Sequence, residues 1–106
     1  MITLIVLFNL KPDADVQAYE KWAKTTDLPI VRKLPSIASF NVYRSSGVLG
    51  SDAEAPYQYV EVLEVTDMNQ FGTDVGTDVM AKVAGEFRGF ADSPTFMLTG
   101  SIEQEG

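Results

Sequence analysis

The stretch MITLIVLFNL (residues 1–10) predicts a β-strand that is buried on both of its faces. One alternating set of side chains is Ile2, Leu4, Val6 and Phe8, and the other contains Ile5 and Leu7. Both sets are apolar, so neither face of the strand is suited to water. The segment Lys11-Pro12-Asp13 ends the run, because proline and aspartate are typical of turns. A sheet that contains this strand therefore needs cover on both sides.

Further elements follow this strand in an order typical of a small α+β domain. Helical spacing of apolar residues predicts one helix that Asp13 or Asp15 caps, and a second helix after Thr66-Asp67. Gly72 and Gly76 predict that the second helix begins as two pieces. The remaining strands are predicted at residues 37–45, 57–65 and 95–103.

The order strand, helix, strand, strand, helix, strand predicts a ferredoxin-like fold over the single domain 1–106. Right-handed crossovers place both helices on one face of a four-stranded antiparallel sheet. The other face would then stay apolar and open, which is rare in a soluble monomer. A second copy packed sheet to sheet is the economical cover, so the sequence predicts a two-fold homodimer, a dimeric α+β barrel.

Charge and apolar content argue against several classes of partner. The net charge is −7, and no basic cluster exists beyond Arg32-Lys33, so nucleic acid is not an expected partner. The longest apolar run, Leu4 to Phe8, is far too short to span a bilayer, and no membrane partner is expected. Since the first residues carry no basic signal region, a cytoplasmic location is predicted.

The chain contains neither cysteine nor histidine. This composition excludes disulfides, thiol nucleophiles, the usual neutral-pH general base and most transition-metal sites. Acid–base chemistry must fall to carboxylates, tyrosines or lysines, and no cofactor is expected. The scattered acidic residues, among them Asp74 and Glu105, are interpreted as a solvated surface without a metal site.

The segment Asp27-Leu28-Pro29 interrupts the first helix, whose apolar spacing then resumes as far as Leu34. A proline lacks the amide of the helical ladder and crowds a carbonyl, so the helix must kink or restart near Thr25 to Asp27. Capping the next turn is the commoner use of an aspartate beside a helix break. The functional alternative for Asp27 is a general base or substrate anchor whose pKa is raised by apolar surroundings.

Further candidates for a binding site are aromatic or amide side chains. Trp22 lies at helical spacing from Tyr19, which favours a core position over a stacking wall. Asn9, Asn41 and Tyr43 fall on strands that should be buried, where an amide needs hydrogen-bond partners. These residues either satisfy strand ends and turns or orient a ligand in a cleft.

Tyr57, Tyr59 and Glu61 share one face of the third predicted strand. The favoured interpretation is an aromatic dimer surface on which Glu61 pairs with Arg44 or a lysine across the hairpin. The alternative is a Tyr–Glu pair that relays a proton, which would place Tyr59 in a binding site.

Several short motifs resemble the dimeric α+β barrel superfamily and, within it, the RedY-like (HapK) family of prodigiosin-type pigment pathways. They are Tyr19-Glu20-Lys21-Trp22, Thr26-Asp27-Leu28-Pro29, Leu34-Pro35-Ser36-Ile37, Phe40-Asn41-Val42-Tyr43 and Pro56-Tyr57-Gln58-Tyr59-Val60-Glu61-Val62. The resemblance implies a dimer whose sheets close into a barrel, with a cleft between sheet and helices in each protomer. Related ethyl tert-butyl ether degradation-type proteins often carry a histidine where this chain has Asp27, and the absence of histidine counts against haem.

Two hypotheses about function follow from the residues and the resemblance together. The first is a cofactor-free enzyme of bacterial secondary metabolism that acts on a small aromatic or pyrrolic intermediate. Asp27 would be its acid or base, Asn41 and Tyr43 its orienting groups and Trp22 a stacking wall. The second is a non-catalytic binding protein that shields a reactive intermediate. The superfamily also contains monooxygenases and polyketide cyclases, which leaves the reaction type open.

Overall fold

The sheet is formed by β1 (Ile2–Leu10), β2 (Ile37–Arg44), β3 (Tyr59–Val65) and β4 (Ala91–Thr99). These strands lie in the order β2-β3-β1-β4, and every neighbouring pair is antiparallel. The computed structural model describes residues 1–103, so Glu105 lies outside the described residues. The predicted ferredoxin-like α+β fold is confirmed.

The last strand is displaced from the predicted span 95–103 and begins at Ala91. Aspartate, serine and proline at positions 92–94 conceal the strand start, because these residues are uncommon in regular strands. The structure accommodates them with an irregular pairing of β1 and β4 between Leu7 and Asn9, and with a positive φ of 48° at Ser93.

Helices cover one face of the sheet. The first helical region contains α1 (Val16–Trp22), a π-helical segment (Ala23–Asp27) and α2 (Leu28–Val31). The second contains α3 (Met68–Val75) and α4 (Asp78–Phe90), which confirms that this helix forms in two pieces. Asp15, not Asp13, caps α1, because its carboxylate accepts the amide hydrogen of Gln17 at 2.9 Å.

The π-helical segment accommodates Pro29 within the first helical region. The Leu28 amide donates to the Ala23 carbonyl, which is the spacing of a π turn. A π turn forfeits one bond of the helical ladder, and it lies here beside a proline that has no amide hydrogen to donate. The expected irregularity near Thr25 to Asp27 is therefore a widened turn, and the chain remains helical through it.

The widened turn also decides which residues of this region face the sheet. The buried residues recur at four-residue spacing: Tyr19, Ala23, Asp27 and Val31. In a regular α-helix such a spacing drifts by about 40° at each step, because one turn takes 3.6 residues. The slower rotation of the π turn offsets this drift and keeps Asp27 on the buried face with Tyr19.

Aromatic rings fill the core between the sheet and α1. The Tyr19 ring is fully buried, with its centroid 4.8 Å from that of Tyr59 and 5.7 Å from that of Phe8. The Phe8 and Phe87 centroids are 5.0 Å apart in an edge-to-face arrangement. These contacts fix the position of α1 above β1 and β3.

The other face of the sheet carries the alternate residues of each strand. In the centre of the sheet Ile5 lies opposite Val62 on β3 and Met97 on β4, and Leu7 lies opposite Val60. Within residues 1–103, no helix covers this face, because both helical regions pack on the opposite face, against the buried residues of β1. An apolar sheet face is therefore left open within one protomer.

The prediction that Asp74 lies on a solvated surface is wrong. It is buried and joins α3 to the turn before β2, because its carboxylate accepts the Ser36 amide hydrogen at 2.9 Å. Gln70 donates a further hydrogen bond to Asp74 at 2.6 Å. These bonds lower the pKa of Asp74, Ser36 first, so this carboxylate is structural.

Candidate functional site

A cavity of about 290 Å³ lies between the sheet and the helices. Most of its lining is apolar and comes from both layers: Leu4, Phe40 and Leu63 from the strands, and Val31, Met80 and Phe87 from the helices. Two carboxyl groups interrupt this lining, those of Asp27 and Glu61. The cavity thus has the composition of a small-molecule site, apolar with a small number of polar groups.

Asp27 lies in the wall of this cavity at the end of the π-helical segment and is 5% exposed. Its side chain makes no capping hydrogen bond, so the capping interpretation is wrong. The physical reason is that the backbone stays helical through Asp27, with φ −63° and ψ −59°, and leaves no free helix start to cap. The Asp27 carboxyl group makes no hydrogen bond or ion pair within the part of the chain that the structure describes.

Burial governs the ionisation of Asp27. The surrounding apolar side chains remove water from the carboxyl group and raise its pKa to about 7. A carboxyl group with this pKa is present in both protonation states at neutral pH. It can therefore accept or release a proton without a large cost in either direction.

Glu61 enters the same cavity from the middle of β3 and is 6% exposed. Its Oε2 atom is fully enclosed and has no hydrogen-bond partner among residues 1–103. Burial, and secondarily the charge of Asp27, raise the pKa of Glu61 to about 8. The raised value indicates a neutral, protonated Glu61 at pH 7.

The predicted partner of Glu61 lies elsewhere. In the register of β2 and β3, Glu61 is opposite Val42, and Arg44 is opposite Tyr59. Arg44 forms an ion pair with Glu20 on α1 at 2.7 Å. The pairing of Glu61 with Arg44, and its place on an aromatic dimer surface, are therefore wrong: Glu61 and Tyr59 face the helices.

Two other ionisable groups border the carboxyl pair. The Tyr19 hydroxyl is buried without a partner among the described residues, and burial together with the charges of Glu61 and Asp27 raises its pKa. Arg88 on α4 lies at the cavity rim and is exposed. It forms no ion pair within residues 1–103, so neither carboxylate is neutralised by a bound cation of the chain.

A second depression, of about 340 Å³, lies between the first helical region and strands β2 and β3, and its wall contains Tyr59 and Tyr43. The Tyr59 hydroxyl donates to Glu20 Oε2 at 2.7 Å, and Arg44 holds both Glu20 oxygens at 2.7 Å. These bonds lower the pKa of Glu20 to about 2, with the Arg44 bond as the first cause. Burial, followed by the Glu20 bond, raises the pKa of Tyr59 to about 12.

The two asparagines lie away from the cavity. Asn9 donates to the Pro56 carbonyl at 3.2 Å and accepts the Gln58 amide hydrogen at 2.9 Å, which ties the end of β1 to the segment before β3. Asn41 accepts a hydrogen bond from Arg32 at 3.2 Å. Both residues belong to the open face of the sheet, as does the alternate position Tyr43, which is 54% exposed.

Trp22 packs against α4 instead of lining either cavity. Its ring centroid is 5.6 Å from that of Phe90 and 6.5 Å from that of Phe87. Its Nε1 atom donates to Glu86 at 3.0 Å. Of the sequence-predicted residues, only Asp27 lines the cavity, and the structure adds Glu61 beside it.

The family model described as REDY-like protein HapK matches residues 2–102. The chain belongs to this family. The crystal structure of HapK from Hahella chejuensis has 30% sequence identity and a TM-score of 0.79, over 100% of this chain and 97% of that chain.

More distant solved structures share the fold of this HapK-family chain. A variant of SnoaB, a cofactor-independent oxygenase from Streptomyces nogalater, has 14% identity and a TM-score of 0.75 over 97% of this chain and 94% of that chain. A dimeric ferredoxin-like protein from Thermobifida fusca has 12% identity and a TM-score of 0.71 over 94% and 90%. No curated protein matches the chain significantly.

Neither a metal centre nor a membrane span is formed by the described residues of this HapK-family chain. Within residues 1–103, no group of three or more carboxylates is arranged to hold a metal ion. No helix in that range combines the length and the apolar character needed to cross a bilayer.

Glu61 is a candidate functional residue that the sequence-based prediction of the site does not include, although its position in β3 carries a signal of burial. Tyr59, Glu61, Leu63 and Val65 alternate on one face of β3, and all four are buried. A glutamate among three core residues of period two is unusual, because charged side chains are rarely buried without a partner. The prediction that Tyr57 and Tyr59 form a dimer surface places Glu61 on the wrong face of the sheet.

Proposed function

We propose that this chain is a cofactor-free biosynthetic protein of bacterial secondary metabolism. It binds a small aromatic or pyrrolic intermediate in the cavity between sheet and helices, and Asp27 acts on that intermediate as acid or base. Membership of the HapK family supports a pathway of the prodigiosin type. The observation that carries the proposal is Asp27 itself, a buried carboxyl group without a partner among residues 1–103, in the wall of an apolar cavity.

The cavity supports this role through its size and lining. Its volume of about 290 Å³ lies near the lower end of ligand pockets, which range from about 300 to 1,000 Å³. The apolar walls favour a compact ring system, and the carboxyl groups can accept N–H or O–H donors of that ring. A carboxyl group with a pKa of about 7 is also well matched to proton transfer near neutral pH.

A π-helical turn at the site supports the same proposal. Such turns are rare and occur frequently at functional sites. Here the turn ends at Asp27 and keeps its side chain on the buried face of the helix. A regular helix with a capping aspartate would be the simpler solution if Asp27 had only a structural role.

The proposed assembly is a homodimer in which two open sheet faces pack together. The centre of that face, with Ile5, Leu7 and Val62, is apolar, and a dimeric ferredoxin-like relative from Thermobifida fusca shares the fold. Light scattering should give the mass of two chains at micromolar concentration, and Val62→Lys should give the mass of one. A monomeric mass for the wild-type protein would exclude this assembly.

The test of function begins with deletion of the gene in its native host. Mass spectrometry should show that an aromatic or pyrrolic metabolite accumulates or disappears. Complementation with the wild-type gene, or with Glu54→Gln as a control at an exposed position outside the sheet, should restore the profile. Asp27→Asn should not restore it, although the variant folds, and restoration by Asp27→Asn would contradict the proposed role.

A non-catalytic carrier is the second candidate, and the absence of histidine and cysteine favours it. Purified protein mixed with the accumulated metabolite separates the two. Conversion of the metabolite identifies an enzyme, whereas saturable binding without conversion identifies a carrier. Oxygen consumption during conversion would indicate a monooxygenase reaction, and conversion without it a cyclase or isomerase. Ala84→Leu, which narrows the cavity without touching either carboxyl group, should weaken binding in both cases.

A further inference from the structure

Glu61 and Asp27 reach one cavity from opposite layers of the protein. Asp27 comes from the helical layer, at the end of the π-helical segment, and Glu61 comes from the sheet, in the middle of β3. Both side chains are buried, and both line the space that a ligand would fill. A molecule in this cavity therefore has a carboxyl group on its helix side and another on its sheet side.

We propose that Glu61 is a second catalytic residue, the general acid that works opposite Asp27, on a bound aromatic or pyrrolic ketone with an acidic C–H bond. The inference rests on the proposed function, because it requires a ligand beside Asp27. It deepens that function by naming a reaction class, a tautomerisation or an enolisation that precedes ring closure.

The division of roles follows from the surroundings of the two groups. Glu61 Oε2 is fully enclosed, and a negative charge there would have no donor among the described residues to stabilise it. The Asp27 oxygens also have no donor among residues 1–103, but they are not fully enclosed, so water or a ligand can stabilise a negative charge there. The pKa values of about 8 for Glu61 and about 7 for Asp27 agree with this order. Two neighbouring buried carboxyl groups disfavour double ionisation, so the pair favours a state with one proton near neutral pH, and the full enclosure of Glu61 Oε2 favours its location on Glu61.

The other groups near the two carboxyl groups do not change which of them keeps the proton. From α1, Tyr19 presents a hydroxyl that stays protonated, since its pKa is raised. From α4, Arg88 lies exposed at the rim and is not bonded to either carboxyl group within residues 1–103. The remaining cavity residues of β1, β2, β4, α2 and α3 carry no ionisable side chain.

The proposed step is balanced without an oxidant. The Asp27 carboxylate takes the proton of a C–H bond next to the carbonyl group, and the electron pair of that bond forms a carbon–carbon double bond. The carbonyl π electrons move to oxygen, which receives the proton of Glu61. The enol has then formed, Asp27 is neutral and Glu61 is ionised. Return of the two protons, to the same or another carbon and to Glu61, completes a redox-neutral cycle.

Two probe molecules separate the acid from the base. Exchange of the benzylic α-hydrogen of 2-tetralone in D₂O, followed by proton NMR, needs a base and is assisted by an acid on the carbonyl oxygen. Ring opening of 5-nitrobenzisoxazole, followed by absorbance, needs only a base, because its leaving oxygen is stable as an anion. Both probes are small aromatic bicycles suited to the cavity. The comparison uses wild type, Glu61→Gln, Asp27→Asn and the control Glu54→Gln at an exposed position outside the sheet.

The expected result is a split between the probes. Glu61→Gln should slow tetralone exchange by about 100-fold, in the range of a lost general acid, and change ring opening by less than about threefold. Asp27→Asn should lose both reactions, and Glu54→Gln should lose neither. Wild-type exchange should be fastest between pH 7 and 8, where Asp27 is ionised and Glu61 is protonated.

The remaining outcomes show which of the two proposed roles, that of Glu61 or that of Asp27, is wrong. If Glu61→Gln exchanges tetralone as fast as wild type, or if wild type opens nitrobenzisoxazole without exchanging tetralone, the role of Glu61 is wrong and that of Asp27 stands. If wild type performs neither reaction above the rate of Asp27→Asn, the proposed base and the proposed acid both fail. Carboxyl ¹³C NMR of the wild-type protein is independent of any variant. A Glu61 carboxyl that is ionised at pH 6 would overturn the inference.

Discussion

Glu20 and Asp27 belong to the same helical region, yet the protein treats their carboxyl groups in opposite ways. Glu20 receives hydrogen bonds from Arg44 and Tyr59, and its pKa falls to about 2. Asp27 receives none from the described residues, is surrounded by apolar side chains, and its pKa rises to about 7. Partners and burial, not residue type, decide which carboxylate is a fixed anion and which can exchange a proton.

The two regions also differ in what they contribute to stability. The Glu20 cluster satisfies each of its charges and links α1 to the edge of the sheet. The Asp27–Glu61 pair leaves buried polar groups unsatisfied, which destabilises the folded state unless a proton or ligand compensates. Natural proteins keep such groups mainly at functional sites, where activity opposes stability.

The largest expected effect is a loss of stability with rising pH. Asp27 and Glu61 bind protons more tightly in the folded protein than in the unfolded chain. Their contribution to the free energy of unfolding is therefore fully present below the unfolded pKa near 4, and it is lost as pH rises through the folded pKa values of about 7 and 8. Urea unfolding should show a fall on the order of a few kcal/mol between pH 5 and pH 9. Glu61→Gln should flatten this curve and make the protein more stable at pH 9.

Glu54→Gln is the control for that experiment, because Glu54 is an exposed glutamate in the segment before β3. Its stability should fall with pH as steeply as that of wild type. Parallel curves for wild type and Glu61→Gln would contradict the assignment of a buried, proton-holding Glu61.

Two tyrosine substitutions should have intermediate effects of opposite sign. Tyr19→Phe removes a buried hydroxyl that has no partner within residues 1–103, and should stabilise the protein by about 1 kcal/mol, as measured by urea unfolding at pH 7. Tyr59→Phe removes the hydrogen bond to Glu20 and should destabilise it by about 1 kcal/mol. Destabilisation by Tyr19→Phe would mean that the Tyr19 hydroxyl has a partner in solution, and stabilisation by Tyr59→Phe would exclude a favourable Tyr59–Glu20 bond.

The smallest effect is expected at the exposed end of the Glu20 cluster. The Arg44 side chain is 66% exposed, so its ion pair is screened by water and salt. Arg44→Gln should shift the unfolding midpoint less than Tyr59→Phe at pH 7. Because the pKa of Glu20 is lowered in the folded state, the ionised Glu20 stabilises the protein at pH values above the ordinary glutamate pKa. This stabilisation is lost as pH falls through about 2. Arg44→Gln should therefore differ from wild type least in strong acid, and a growing difference there would exclude this pairing.

The fold could be predicted because its signals are local. The apolar first strand, the broken second helix at Gly76 and the cap residue Asp67 all act within a few residues of themselves, and the structure contains each of them. The start of β4 could not be predicted, because Asp92, Ser93 and Pro94 enter a strand only through an irregular pairing with β1. Pairing across the sheet overrides local propensity there.

The candidate site was less predictable because it depends on register and helical phase. A shift of one residue in the pairing of β2 and β3 would change which residue faces Arg44. Asn9 and Asn41 are site candidates in the sequence because their strands are expected to be buried, and the alternation of these strands places both residues on the open face. Asp27 was interpreted as a cap because a proline break was expected to free backbone amides, and the π turn left none to cap.

The sequence by itself determined the ferredoxin-like order of elements, the HapK-family membership and the restriction of acid–base chemistry to carboxyl and phenol groups. Periodicity carries the order of elements, the match to the family model carries the membership, and composition carries the restriction on acid–base groups. Only the tertiary structure decided that Asp27 and Glu61 line one cavity while Arg44 binds Glu20. The reason is that burial and charge pairing arise from contacts between distant segments, and these contacts set the pKa of each group.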